Sequence, residues 1–161
     1  MTADTRLARN EDAQDLFGLI ALCFAEYPGC FVDPHDDLRD LRAAGDAFAS
    51  RAGAWWVCED ARGRVCASAA VDLASEESAE LHRLYVRPDR RRRGLGEALV
   101  GQAERFAAQA GAARLCFWSD TRFEAAHRLY SRLGFQSSGE IRELGDISRT
   151  RELFFEKRLS P

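Results

Sequence analysis

Leu84-Tyr85-Val86-Arg87-Pro88-Asp89-Arg90-Arg91-Arg92-Arg93-Gly94-Leu95-Gly96 is the stretch that decides how the rest of the chain is read. Leu84 and Val86, with Leu81 before them, look like core residues of a strand over residues 79–86, and Pro88 ends it. Gly94 opens a long helix in which Leu95, Ala98, Leu99, Ala103, Phe106 and Ala107 share one face, with Gly111 as its C-cap. Four arginines, 90–93, therefore crowd the positive end of a helix dipole, a placement that costs about 0.3–1 kcal/mol for each nearby charge. Glu97 offsets only part of that cost. An anion seated on the free amides at the helix start removes the conflict. Gly94 and Gly96 lack a Cβ and let a bulky phosphate approach the main chain. The adjacent guanidiniums then supply charge-assisted hydrogen bonds. No Gly-Lys-Ser/Thr follows, so the stretch is not a P-loop, and the third glycine of a dinucleotide fingerprint is missing. The same residues also fit a solvated basic turn or a nucleic-acid patch.

Working outward, the chain alternates strand and helix signals. Upstream, residues 54–59 carry the apolar run Trp55-Trp56-Val57-Cys58, and a turn at Asp60-Ala61-Arg62-Gly63 leads into a second strand over 64–73, a hairpin. Further upstream, residues 5–8 form a short strand and Asn10 is an N-cap, with Glu11 and Asp12 in the first helical turn. Ala13, Leu16, Phe17, Ile20 and Phe24 follow at helical spacing until Pro28-Gly29. Residues 30–52 read as a loop around Asp33-Pro34, then one or two short helices containing Leu38, Leu41 and Phe48. Downstream, a strand over 113–118 precedes a helix marked by Phe123, Ala126, Tyr130 and Leu133 and closed by Gly134. Two strands, over 135–143 and 151–159, complete the pattern. One α/β domain spanning residues 1–161 is expected, without repeats, low-complexity segments or linkers.

Composition narrows the classes. A chain of 161 residues with 46% hydrophobic and 30% charged residues suits a soluble globular protein, and a net charge of -3 does not favour nucleic acid as a general partner. Cys23, Cys30, Cys58, Cys66 and Cys116 are odd in number and show no C-x-x-C spacing, and His35, His82 and His127 are scattered, so no metal site is expected. The N-terminus lacks a secretory apolar core, and no apolar run approaches the ~18 residues that span a bilayer. A reduced cytoplasmic protein, with no membrane partner, is the expectation.

Three linked motifs resemble the GNAT superfamily of acyl-CoA N-acyltransferases. That family's Gln/Arg-x-x-Gly-x-Gly/Ala after a strand is matched by Arg91-x-x-Gly94-x-Gly96. Leu84-Tyr85-Val86-x-Pro88 precedes it and Leu129-Tyr130-x-x-Leu133-Gly134-Phe135 follows, in the family's order and spacing. The resemblance is firm over residues 79–135 and compatible elsewhere. It implies a mixed, mostly antiparallel sheet of six to seven strands with helices on both faces and splayed central strands. It implies that Arg91, Arg92, Arg93, Gly94, Leu95, Gly96 and Glu97 hold the pyrophosphate of acetyl-CoA, largely through main-chain amides. The strand of Leu84, Tyr85 and Val86 would splay from its neighbour after Trp118 and pair with the pantetheine arm. An N–H near Leu84 would polarise the thioester carbonyl, a role worth about 3–4 kcal/mol in oxyanion holes. Tyr130 would protonate the departing thiolate, and Ala126 would leave room for the cofactor. The family often has Asn seven residues before this tyrosine; Phe123 stands there and cannot make the usual polar contact to pantetheine.

The implied reaction is transfer of acetyl to a primary amine, small-molecule or peptide, by direct attack in a ternary complex. Other acyl groups, a hydroxyl acceptor, or a non-catalytic CoA-sensing module fit the same cofactor turn. Amine acylation needs a proton acceptor. Glu80 is the first choice and His82 its competitor, since strict alternation puts Glu80, His82 and Leu84 on one strand face and Leu81, Arg83 and Tyr85 on the other. Glu26 and Tyr27, followed by Asp33, Asp36 and Asp37, form a candidate acidic acceptor wall or a set of surface charges. Asp120 either faces the cleft or caps the next helix. Cys30 has only His35 nearby as an activating base, so a covalent acyl-enzyme is disfavoured. A homodimer across the terminal strands is compatible with the sequence.

Overall fold

A computed structural model, which describes residues 4–33, 35, 36 and 38–160, resolves these patterns into one seven-stranded sheet. Pro34 and Asp37 lie outside the described residues. The strands are β1 (Thr5–Leu7), β2 (Ala54–Glu59), β3 (Val65–Leu73), β4 (Ser78–Val86), β5 (Arg114–Asp120), β6 (Gln136–Glu143) and β7 (Arg151–Arg158). The helices are α1 (Ala13–Phe24), α2 (Leu38–Leu41), α3 (Leu95–Gln109) and α4 (Glu124–Arg132). Strand order is β1-β2-β3-β4-β5-β7-β6, antiparallel throughout except where β4 meets β5. The parallel pair sits where α3 crosses over between its two strands.

Helices cover both faces, as expected. Leu99, Val100, Ala103 and Ala107 of α3 join Tyr130 of α4 over Trp56, Ala67, Ala69, Leu115 and Phe117. On the opposite face, Leu16, Leu19, Ile20 and Cys23 of α1 join Leu41 over Trp55, Val57, Val65 and Ala70. Covered twice, β3 is buried from Val65 to Asp72, which explains its near-continuous run of small and apolar residues.

Several local expectations shift. Asn10 does not cap α1. Residues Asn10–Asp12 form a 3-10 turn in which the Asp12 carboxylate accepts the Arg9 N–H at 2.8 Å. Asn10 Oδ1 is thereby released to accept the Gly45 N–H at 3.0 Å. Phe48 lies just before a 3-10 turn (Ala49–Arg51) rather than inside a helix. Strand β5 extends to Asp120, because β7 pairs with it over its whole length.

The most consequential departure is in β4. Ala70 faces His82 and Ser68 faces Tyr85, so Arg83 and Leu84 together oppose the single residue between, Ala69. This is a β-bulge, with Arg83 at φ 52. Ser68 Oγ donates to the Arg83 carbonyl at 2.7 Å, and the Arg83 guanidinium grips Asp40 through two bonds of 2.9 and 2.8 Å. The extra residue breaks the alternation expected for this strand. Leu84 and Val86 face the α3 side with Leu81, while His82 and Tyr85 face the α1 side. Strand β4 also parts from β5, already before the bulge. Their pairing covers Ser78–Arg114, Ala79–Leu115 and Glu80–Cys116 and goes no further, so the splay begins before Trp118 and not after it.

Gly53, at the entry to β2, lies hard against the β3 backbone at Val71 and Asp72. A Cβ there would overlap the Val71 carbonyl oxygen and sit 2.8 Å from Asp72 Cα. Gly53→Ala is expected to lower stability by about 1–3 kcal/mol, read as a lower urea midpoint at an unchanged slope.

Candidate functional site

Where β4 and β5 diverge, three clefts meet. The first, of about 420 Å³, runs from the head of α3 to Tyr130. The third, of about 280 Å³, shares Leu84, Tyr85, Phe123 and Tyr130 with it and opens on the other side of the splay. The second, of about 580 Å³, shares Leu81, His82, Arg83, Tyr85, Trp118 and Glu152 with the third. The gap between the strands is thus a passage with Leu84 and Tyr130 at its middle.

The head of α3 has the geometry of an anion cradle. Arg92 at φ 60 and Gly94 at φ 79 turn the chain into the helix. No side chain caps this end, and the first intrahelical bond runs from Ala98 N–H to the Gly94 carbonyl at 2.9 Å. Leu95, Gly96 and Glu97 line the first cleft at the point where the orphan amides of a helix start lie. The two glycines serve different ends. Gly94 is needed for its left-handed backbone and faces open space, whereas a Cβ on Gly96 would come within 3.2 Å of Leu129 Cδ2 on α4.

The four arginines are not equivalent. Arg90 lies 3.4 Å from Asp89 and 3.9 Å from Asp60. Arg91 is clasped by Glu26 at 2.9 and 2.6 Å and donates to the Val86 carbonyl at 3.0 Å. Burial works against its charge, but the Glu26 bonds outweigh it and hold the guanidinium above its ordinary pKa. Arg92 lines the cleft and, like the exposed Arg93, forms no ion pair among the described residues. Arg93 does not line the cleft. Fewer charges than the sequence suggests are left to face an anion, because carboxylates have already engaged two of them, Arg90 beside Asp89 and Asp60 and Arg91 in the Glu26 clasp.

Glu26 and Tyr27, which the sequence offers as acceptor wall or surface charges, flank the first cleft. Glu26 belongs to the Arg91 clasp, and Tyr27 lines the first cleft with its ring 4.8 Å from Phe123. Phe123 completes an aromatic cluster with Phe24 at 6.0 Å, and Tyr85 joins it through Phe24 at 5.9 Å. Asp120 lines the third cleft, but Arg122 pairs with it at 2.7 Å and its Oδ1 accepts the Arg122 N–H at 2.9 Å. It closes a turn before α4 instead of capping the helix or offering an unpaired charge. Asp36 lines the second cleft, and Asp33 accepts the His35 N–H at 2.8 Å.

Among the carboxylates on the third and second clefts, Asp40, Asp120 and Glu152 are bound to Arg83, Arg122 and Arg142. The Glu80 side chain, on the second cleft, makes no hydrogen bond or ion pair among the described residues. His82 lines both clefts. Its Nε2 is 3.0 Å from Asp72 Oδ1, and Arg51 reaches the other carboxylate oxygen at 3.4 Å. Burial raises the Asp72 pKa, yet His82 and Arg51 outweigh it and keep the carboxyl below its usual range.

Tyr130 is 5% exposed and lines the first and third clefts. Burial pushes its phenol up to about 12, partly countered by Ser119. Ala126 lines the first cleft with Leu129 of the motif and with Ala125 and Arg132, two residues that sequence reasoning passed over. The signal was present, since residues 125, 129 and 132 follow helical spacing along the side of the Tyr130 helix. Among the described residues there is no cluster able to hold a metal ion, and no helix is long and apolar enough to cross a membrane.

A family model described as Acetyltransferase (GNAT) family matches residues 8–135. An uncharacterized N-acetyltransferase of Methanocaldococcus jannaschii is 32% identical over 71 residues, 44% of this chain and 31% of that protein. The chain spans less than half the length of the curated relatives it matches. Among solved structures, a GNAT-family acetyltransferase from Staphylococcus aureus superposes with a TM-score of 0.82 at 14% identity, covering 98% of this chain and 99% of that one. A Salmonella typhimurium protein solved with its cofactor acetyl-CoA superposes with a TM-score of 0.74 at 18% identity, covering 98% of this chain and 94% of that one.

The buried phenol makes a linkage prediction. The native pKa lies above the ordinary value near 10, so the Tyr130 contribution to stability is fully present below pH 10 and is lost as pH rises through about 12. Chemical denaturation across that window should show a fall on the order of 2 kcal/mol from this group, absent in Tyr130→Phe.

Proposed function

The chain belongs to the Acetyltransferase (GNAT) family, and on that premise we propose that it moves an acetyl group from acetyl-CoA to a primary amine by direct attack in a ternary complex. One observation carries this: the uncapped start of α3 and the Tyr130 phenol lie at the two ends of one cleft, at the splay of β4 and β5. The residues there suit the cofactor. The amides at Leu95, Gly96 and Glu97, with the Arg92 guanidinium, would take the pyrophosphate, and Ala126 leaves space beside Tyr130. Leu84, Tyr85 and Val86, on a strand released from β5, would offer backbone groups to the pantetheine arm. Acetyl-CoA supplies an acyl group activated as a thioester.

The chain's own groups then handle protons. Tyr130, neutral across physiological pH, donates to the departing sulfur. On the acceptor side His82 is favoured over Glu80 as base, because it lines the cleft that reaches Tyr130 whereas Glu80 lines only the next one. The ionised Asp72 accepts from Nε2, which fixes the proton there and leaves Nδ1 as the basic atom. Glu80, with its charge uncommitted, draws the ammonium toward the passage. Small-molecule or peptide amines are the acceptor class. Five buried thiols without a disulfide suit a reducing cytoplasm.

Incubating the protein with acetyl-CoA and a panel of amines, while reading released thiol, tests the reading. Turnover with one amine class is expected, and silence across the panel rejects it. Gly94→Val forces a β-branched residue into a left-handed backbone and should raise the KM for acetyl-CoA by at least ~10-fold. Unchanged CoA affinity by calorimetry would remove the turn from the cofactor site. His82→Gln should lower kcat by ~100-fold or more, while Glu80→Gln should act mainly on the KM for amine. The reverse pattern returns the base to Glu80.

A further inference from the structure

On the acetyl-transfer reading the amine reacts in the third cleft, which holds His82, Leu84 and Tyr130. At about 280 Å³ the cleft is of small-molecule size, and Phe24, Phe117 and Phe123 give it an apolar wall. Its charges are spoken for. Among the described residues three carboxylates line it, Asp120, Asp146 and Glu152. Asp120 and Glu152 each hold an arginine at 2.7 Å, Arg122 and Arg142. Asp146 accepts the Thr150 N–H at 2.7 Å and the Thr150 hydroxyl at 2.6 Å. The basic groups on the same wall are no freer, since Arg83 grips Asp40 and His82 meets Asp72. A second ammonium or a carboxylate on the acceptor would lose water here without gaining an uncommitted partner.

The same cleft exposes apolar surface to solvent. Phe31 is 59% exposed and Leu144 46%, and both line it. Large hydrophobics scattered singly over a surface need no explanation. Here Phe31, Ile141, Leu144 and Ile147 all fall on two segments, the loop after α1 and the hairpin of β6 and β7. Those segments are tied to each other. Ser148, buried in the hairpin turn, accepts the Phe31 N–H at 2.8 Å and donates to the Phe31 carbonyl at 3.0 Å. Two distant stretches of chain are thus clasped so that each presents an apolar side chain to one cleft.

We infer that the acceptor is a small primary amine whose one charge is the reacting nitrogen, carried on an uncharged apolar body that packs against Phe31 and Leu144 in the third cleft. This rests on the acetyl-transfer reading. Phe31 and Leu144 are specificity-determining residues, and the engaged carboxylates and arginines turn away diamines and amino acids.

Hexylamine, 1,6-diaminohexane and 6-aminohexanoate share a reacting amine and a chain length and differ in the charge at the far end. With acetyl-CoA and thiol release as the readout, hexylamine should show a kcat/KM ~10-fold or more above either of the others. Phe31→Ser and Leu144→Ser should each raise the KM for hexylamine ~5-fold or more while the KM for acetyl-CoA stays as in wild type. Leu22→Ser, at an exposed apolar residue that lines none of the three clefts, should move neither constant. An equal or higher kcat/KM for the diamine or the amino acid overturns the apolar body and leaves acetyl transfer standing. A wild-type KM for hexylamine in both Phe31→Ser and Leu144→Ser does the same. Thiol silence with every amine tried overturns the reading beneath. Calorimetry of hexylamine into the CoA-saturated protein then decides the subsite by itself: binding weakened ~5-fold by Phe31→Ser supports it, and no binding overturns it.

Discussion

The bulge at Arg83 is the constraint on which the site depends. A regular β4 would keep Leu84 on the face of Glu80 and His82. With one residue added, Leu84 and Val86 line the cleft toward α3 while His82 and Tyr85 line the passage toward α1. A left-handed arginine is costly, by roughly 1 kcal/mol or more. Ser68 pins its carbonyl and Asp40 pins its guanidinium, so the strained residue is held from both ends. The same contacts tie α2 to the middle of the sheet and set one wall of the second cleft.

Around that bulge the charges are largely committed to one another. Asp60 binds Arg87, Asp40 binds Arg83, Glu152 binds Arg142, and Glu26 binds Arg91. These pairs bring distant segments together, and Glu26 with Arg91 joins the end of α1 to the turn before α3. What remains is sparse and local: Arg92 at the helix head, Glu80 on the far cleft, and the rings of His82 and Tyr130. A passage through the sheet with few uncommitted charges directs a reactant by position more than by bulk attraction.

Much of this was legible in sequence, for identifiable reasons. The turn over residues 91–96 was readable because its glycines, arginines and following helix are contiguous. Element order and type followed from periodicity and from Gly63, Pro88, Gly111 and Gly134. The partners of Arg91 and Asp120 were not, since Glu26 lies 65 residues from Arg91 and the Arg122 pairing depends on a fold-specific turn. The bulge left a trace that strict alternation concealed. Leu81, Leu84 and Val86 are all apolar, and the step from 81 to 84 changes parity, which a two-residue repeat forbids. An odd step inside a strand whose residues share one core signals an inserted residue.

Strand β6 is the outer border of the sheet beyond β7, and every one of its residues is exposed. Such a border is a template for uncontrolled accretion of other chains. Here the ladder slips between Ser137 and Ile141, Gly139 turns left-handed at φ 81, and Glu140, Arg142 and Glu143 carry charge along it. The interrupted ladder and its charges deny incoming strands a flat, continuous rail, which works in favour of colloidal solubility at high concentration.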